Sequence, residues 1–388
     1  MVRAGAAAAI ALGLALLLAA ACERGLQEPV REKEGNPFEF AWQLPAGFPV
    51  PRVPPDNPMS PEKIELGRRL FHESRLSGDG SVSCASCHRP ELAYSDGRSR
   101  AVGVQGQVHP RSAMSLTNVA YNATLGWDDP DLIRLEDQAL VPLLNTQPPE
   151  MGVAGREDEV LKRFRDDRLY RRLFHRAFPD DRDPVTLRNV TYALASFERT
   201  LISGNSPYDR WAYGGQLDAL GPDARAGARL FFSRRLSCFR CHSGFNLSGP
   251  VVYEGSESPT PRFHNTGLYD QDGHGAYPAP NTGVYRRSGR REDMGKFRAP
   301  TLRNIALTAP YMHDGSIPTL EAVLDHYAAG GRARFIRTGI RGGGPASMID
   351  PLVGGFEISP KQRKELIAFL HALTDESFVR RAKQRERK

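Results

Sequence analysis

Two short runs carry the chemistry of this chain, Ser83-Cys84-Ala85-Ser86-Cys87-His88 and Ser237-Cys238-Phe239-Arg240-Cys241-His242. Each is a C-x-x-C-H motif. Two thiols at that spacing can add to the vinyl groups of a haem while the adjacent histidine binds its iron. A redox C-x-x-C or half of a zinc site would use the thiols but leaves the histidine after each second cysteine without a purpose. The two copies take Cys84, Cys87, Cys238 and Cys241, four of the 5 cysteines, so only Cys22 is left over and no disulfide can form beside two attached haems.

A haem motif needs an element to present it, and both copies have the same one. Gly67-Arg68-Arg69-Leu70-Phe71 with Arg75-Leu76-Ser77 overlays Gly227-Ala228-Arg229-Leu230-Phe231 with Arg235-Leu236-Ser237. The first copy reads as a helix over Glu62 to His72: Ser60 can cap it, Pro61 suits its first position, and Ile64, Leu66, Leu70 and Phe71 share a face. A repeated helix-then-motif unit predicts two similar haem domains rather than one domain holding two haems.

Further along, Asp131 to Leu140, Glu157 to Phe174 and Pro184 to Ile202 have helical periodicity, and Ser203-Gly204-Asn205-Ser206-Pro207 breaks it. Residues 243–300 are too broken by Gly, Pro and Asn for a bundle. Thr319 can cap a helix from Leu320 to Ala329, ended by Gly330-Gly331, and Pro360 to Leu373 is an amphipathic closing helix. With 30 prolines and 37 glycines in 388 residues, the expected fold is mainly α: two cytochrome c-like haem domains with long irregular loops and few short strands. The boundaries expected are 1–21 for an export signal, 22–57 for an extended Pro-rich lead-in, 58–210 and 211–377 for the haem domains, and 378–388 for a basic tail.

The signal reading rests on Arg3 followed by the uncharged Ala6–Ala21 run, too short to argue for a permanent span, and it places the mature protein in the periplasm or outside the cell. Leu18-Ala19-Ala20-Ala21-Cys22 also fits a lipoprotein cleavage site, with Cys22 as a lipid anchor; ordinary cleavage is the other reading. The formal charge of +7 is no nucleic-acid signal, because Arg380 to Lys388 supplies +5 of it as a solvated helix end and the body is close to neutral.

Over Pro58 to Leu373 the chain resembles the bacterial di-haem cytochrome c peroxidase and MauG superfamily. Leu66-Gly67-Arg68-Arg69-Leu70-Phe71, the first haem motif, Leu135-Glu136-Asp137-Gln138-Ala139-Leu140, Pro149-Glu150-Met151-Gly152, Phe297-Arg298-Ala299-Pro300-Thr301-Leu302-Arg303-Asn304 and Ala309-Pro310-Tyr311-Met312-His313-Asp314-Gly315 carry the likeness. Asn57-Pro58-Met59-Ser60, His109 to Leu116, Glu198 to Gly204 and Phe263 to Tyr269 are most similar to its MbnH-type branch, known for oxidising tryptophan in a partner protein.

The resemblance implies that His88 and His242 are the proximal ligands of two haem c groups, the first left open for hydrogen peroxide and the second closed by Tyr327, with His326 and Met312 as rival ligands. Gln138 and Glu150 match residues beside the open face, where a carboxylate can carry a proton between peroxide oxygens, and Pro142 matches one that limits access. Trp127 matches a tryptophan between the haems. Ser112, Thr308 and Pro310 match the ligands of one calcium ion, with serine in place of the usual asparagine. On the residues alone, Trp127 would be a core side chain, Tyr327 a core or interface one, and Glu150 a solvated loop residue.

Three functions follow from this pattern. The first is an exported oxidoreductase that uses peroxide to reach a high-valent di-haem state and oxidises a side chain of a partner protein, tryptophan above all. The second is a cytochrome c peroxidase that reduces peroxide to water with electrons from a small cytochrome or cupredoxin. The third is a non-enzymatic electron carrier with both irons six-coordinate.

Overall fold

The computed structural model describes residues 40–332 and 348–386. Residues 42–388 form one unit and residues 1–41 another. The export signal, Cys22, the first part of the lead-in and the last two residues of the basic tail lie outside the described residues.

The fold is mainly helical with few short strands, as the pattern predicts. The helices are α1 (Pro61–His72), α2 (Cys84–Cys87), α3 (Leu135–Leu144), α4 (Glu157–Asp166), α5 (Arg168–Ala177), α6 (Leu187–Glu198), α7 (Pro207–Ala212), α8 (Pro222–Phe231), α9 (Tyr285–Ser288), α10 (Leu320–Ala328), α11 (Pro360–His371) and α12 (Glu376–Glu386). The irregular region after the second motif contains one antiparallel ladder, β1 (His264–Asn265) against β2 (Lys296–Phe297), with His264 opposite Phe297.

The repeat read from the sequence is a repeat in space. Ser60 accepts the Lys63 amide at 3.2 Å and Pro61 opens α1, which buries Leu66, Gly67, Leu70 and Phe71 and packs on α6. Likewise Pro222 opens α8, which buries Ala224, Gly227, Ala228 and Phe231 and packs on α11. At both crossings a glycine lets two backbones meet: a Cβ on Gly67 would lie 1.9 Å from the Ala193 carbonyl oxygen, and one on Gly227 2.0 Å from that of Glu365. α1 continues through Leu76 to α2, and α8 through Leu236 to the 3-10 turn Cys238–Arg240, so each crossing anchors one haem motif.

Two hydrophobic clusters surround these crossings. Leu66, Leu70, Phe71, Tyr94, Leu143, Phe164, Phe174 and Phe197 belong to the first. Phe231, Leu236, Leu247, Phe297, Leu324, Leu366 and Phe369 belong to the second, against which Trp127 packs although it precedes α3 in the chain.

Element boundaries differ from the periodicity in identifiable ways. The helix expected from Asp131 begins at Leu135, because the Leu132 carbonyl accepts the Leu125 amide at 2.7 Å and holds the preceding residues in a loop. The run from Glu157 to Phe174 is two helices: the Asp167 carboxylate caps the Leu169 and Tyr170 amides at 2.8 and 3.3 Å and starts α5. The basic run at the C-terminus lies on α12, where Arg380, Arg381 and Lys383 are exposed to solvent while Phe378 and Ala382 are buried in the first cluster. Thr319 caps α10 as anticipated, accepting the Ala322 amide at 3.2 Å. Among the described residues no helix is long and apolar enough to cross a membrane.

Candidate haem-binding sites

Each C-x-x-C-H motif is folded so that its histidine has one committed nitrogen. His88 Nδ1 lies 2.9 Å from the Tyr94 carbonyl oxygen, and His242 Nδ1 lies 3.1 Å from that of Pro300. A carbonyl can only accept, so both Nδ1 atoms carry the proton and both Nε2 atoms keep a lone pair for a metal. Burial holds both imidazoles neutral, His88 below its ordinary range and His242 at about 4. None of Cys84, Cys87, Cys238 and Cys241 is in a disulfide. Paired thiols beside a neutral imidazole with an available Nε2 form a donor set that fits covalently held haem at both positions.

Around the first motif, three segments converge. Gln138 and Pro142 lie four residues apart on α3 and therefore share a face. The loop after α3 folds back on it: the Met151 amide donates to the Pro142 carbonyl at 2.9 Å, and the Val153 amide to that of Leu143 at 3.0 Å. Glu150 is thereby held next to that face, and its own carbonyl accepts the Val104 amide at 2.8 Å. Its carboxylate is close enough to Cys84 and Cys87 to raise both thiol pKa values, a smaller effect than their burial. Burial raises the pKa of Glu150 itself, while His109, whose Nδ1 is 3.4 Å from Glu150 Oε1, pulls it back.

Around the second motif, burial first and then the nearby Cys241 and Cys238 sulfurs raise the Tyr327 phenol above its ordinary pKa. The phenol makes no hydrogen bond among the described residues. His326, its neighbour on α10, has both nitrogens committed: Nε2 donates to the Thr266 carbonyl at 2.9 Å and Nδ1 accepts the Arg332 amide at 3.2 Å. A histidine so engaged has no lone pair left for iron. Met312 sits half-buried with a left-handed backbone (φ 72°).

Trp127 packs against the second cluster. Its indole N–H donates to the Ser112 carbonyl at 3.1 Å, and its ring is edge-on to His313 at 6.5 Å, which stacks on Phe297 at 3.8 Å. The following Asp128 is clamped by both Arg111 terminal nitrogens at 2.6 and 2.5 Å, and Asp129 pairs with Arg287, which gives this loop its own packing. Of the calcium candidates, the Thr308 and Pro310 carbonyls accept no hydrogen bond among the described residues, which suits a hard cation. The Ser112 hydroxyl instead donates to the Met312 carbonyl at 3.2 Å.

Three further residues of this region stand out. His109, 6% exposed, carries a buried Nε2 without a partner. Glu198, which electrostatically disfavours ionisation of Cys84, has a buried Oε2 without a partner and is pushed up to about 8 by burial. The guanidinium of Arg298, a residue 7% exposed, donates among the described residues only to the Gly126 carbonyl and the Met114 sulfur, and burial lowers it to about 10. A buried guanidinium with no carboxylate suits an anionic group such as a haem propionate. Only the membership of Arg298 and Glu198 in quoted motifs pointed to them; no spacing did.

The chain belongs to the di-haem cytochrome c peroxidase and MauG family, and it is a haem-dependent peroxidase or oxidase with two haem c groups. The family model described as di-haem cytochrome c peroxidase matches residues 61–217, and one described as RoxA-like, cytochrome c-like matches residues 296–330. The methylamine utilization protein MauG of Methylorubrum extorquens is 37% identical over 86% of this chain and 84% of its own length. Cytochrome-c peroxidase IdrP1 of Denitromonas iodatirespirans is 34% identical over 84% and 85%. The crystal structure of a MauG-like protein associated with microbial copper homeostasis superposes with a TM-score of 0.82 at 44% identity, covering 88% of this chain and 97% of the other.

Proposed function

We propose that this chain is an exported di-haem enzyme that takes its oxidising equivalents from hydrogen peroxide and withdraws electrons from a tryptophan side chain of a partner protein. The observation that carries this reading is Tyr327: a half-buried phenol that makes no hydrogen bond among the described residues, beside the second pair of haem thiols, with the rival His326 fully engaged elsewhere. A phenolate ligand favours oxidised iron, whereas a thioether favours reduced iron, so Tyr327 suits a haem that stores oxidising power rather than one that relays electrons to peroxide.

When bound through Cys84, Cys87 and His88, the first haem supplies an iron at which peroxide is reduced. Glu150 accepts a proton from one peroxide oxygen and returns it to the other. A carboxylate raised by burial and held beside His109 is suited to both halves of that exchange. Gln138 orients the peroxide with its amide, and the Pro142 ring narrows the approach. Trp127, held by the Ser112 carbonyl, would pass an electron between the two sites through its indole. Thr308 and Pro310 carbonyls with the Ser112 oxygen would hold a calcium ion that ties the two halves together. The relatives named MauG support a protein substrate, and those named cytochrome-c peroxidase support the alternative of a cytochrome donor.

Replacing Tyr327 by Phe or Met tests the reading. The ferric spectrum of the second haem should change, and peroxide without a donor should no longer give a long-lived oxidised state. An unchanged spectrum removes Tyr327 as ligand; rapid turnover on reduced cytochrome c with no such state favours the cytochrome donor.

A further inference from the structure

We propose that the surface around α8, beside the second haem motif, is the docking site for a protein partner with an acidic face, a proposal that rests on the protein-oxidising reading above. The two copies of the repeat reveal it by their difference. In the first copy the arginines are neutralised: Glu65 accepts from Arg68 at 2.8 Å and from Arg69 at 2.6 Å, and Glu73 accepts from Arg75 at 2.7 Å, with Asp167 adding a contact at 3.1 Å. In the second copy Arg225 stands where the first has Glu65, and Ser233 where it has Glu73. Arg225, Arg229, Arg234 and Arg240 make no ion pair among the described residues.

Local geometry gathers these charges near the haem attachment. Arg225 and Arg229 are four residues apart on α8, and Phe232 continues their stripe. The turn that follows is tight, with the Ser237 hydroxyl donating to the Arg234 carbonyl at 2.8 Å and the Arg240 amide to the Ser237 carbonyl at 3.0 Å, so Arg234 and Arg240 flank Cys238. An aromatic centre adjoins them: Phe232 and Tyr213, 39% and 37% exposed, lie 6.3 and 6.2 Å from the Tyr208 ring. Exposed aromatics surrounded by arginine are the composition of a protein interface. Unpaired cations along α8 and the turn after it repel each other, but they steer an acidic partner and turn away a basic one.

A partner docked here places its tryptophan nearest the second haem. Its indole loses two electrons and two protons and gains a water oxygen, while peroxide takes the two electrons and two protons and leaves as two waters; the balance is Trp + H2O2 giving hydroxylated Trp + H2O.

The holoenzyme and two exposed charge-reversal variants test the proposal: Arg229→Glu with Arg234→Glu, and Arg380→Glu with Arg381→Glu on α12 as a matched change in net charge. Intact haem spectra and an unchanged reaction with peroxide in the absence of donor establish that each variant is folded. Fluorescein-labelled octaglutamate should bind at least tenfold more tightly than labelled octalysine in low salt, and the difference should collapse at high salt. The first variant should remove it and the second retain it. Equal binding of the two peptides, or equal losses in both variants, would overturn the docking site. A peptide with one central tryptophan flanked on both sides by glutamates should be hydroxylated by peroxide faster than the same peptide with lysine flanks. If octaglutamate binds as described but neither tryptophan peptide is oxidised, the docking site stands and the tryptophan-oxidising function falls.

Discussion

Single side chains around the first haem motif divide into those that act on protons and those that must stay neutral. Glu150 belongs to the first group, since its raised pKa and its contact with His109 make it the residue able to give and take a proton. Replacing it with Gln keeps the size and removes the proton exchange, so the second-order rate of the peroxide reaction should fall by about a hundredfold or more with both haem spectra intact; stopped-flow mixing with peroxide measures it. Glu198 belongs to the second group. Its carboxyl is buried and pushed up to about 8 from the ordinary 4.5. With a folded pKa above the unfolded one, its contribution to stability is fully present below about pH 4.5 and is lost as the pH rises through about 8. Glu198→Gln should therefore flatten the decline in thermal stability between pH 5 and 8, by a few kcal/mol at most. Parallel declines for the two proteins would mean that Glu198 is ionised in the folded state.

At the level of elements, the covalent anchors were legible because C-x-x-C-H is a local pattern and the helix before it repeats. Gly67 and Gly227 were visible as part of that repeat, yet the crossing that needs them was not, because Ala193 and Glu365 lie more than 120 residues away in each case. His109 and Glu150 meet for a similar reason: a loop returns to α3 through main-chain bonds that no side-chain spacing encodes. The boundary of α3 was misplaced by a carbonyl that belongs to a loop, and periodicity does not register such a bond. The crossings lead to a paired prediction. Alanine gains about 1 kcal/mol over glycine in a helix interior. Here its Cβ would meet a main-chain oxygen at 1.9 or 2.0 Å, and no rotamer change relieves that. The clash wins, so Gly67→Ala and Gly227→Ala should each destabilise by about 1–3 kcal/mol. Gly67→Ala should weaken incorporation of the first haem and Gly227→Ala that of the second, read from the haem content and spectra of the purified variants.

Across the whole molecule, the two haem sites are joined by contacts that ignore the order of the chain. Asn304 donates to the Ser203 hydroxyl at 3.0 Å and accepts the Asp375 amide at 2.8 Å, and Asp375 in turn accepts the Gly204 and Asn205 amides at 3.2 and 3.0 Å. This buried knot sets the direction in which α12 leaves, back towards the first cluster. There Phe378, 4% exposed, packs against Tyr94 with ring centroids 5.7 Å apart. Tyr94 is the residue whose carbonyl fixes His88 Nδ1, so the last helix braces the proximal ligand of the first haem from nearly 300 residues away. Phe378→Ala should cost about 3–5 kcal/mol as a buried aromatic truncation. The loss should be uneven: the first haem's spectrum and peroxide reaction should change and melt out earlier, while the Tyr327-associated spectrum holds to a higher temperature. A single transition in which both spectra are lost together would show instead that α12 stabilises the two sites as one cooperative body.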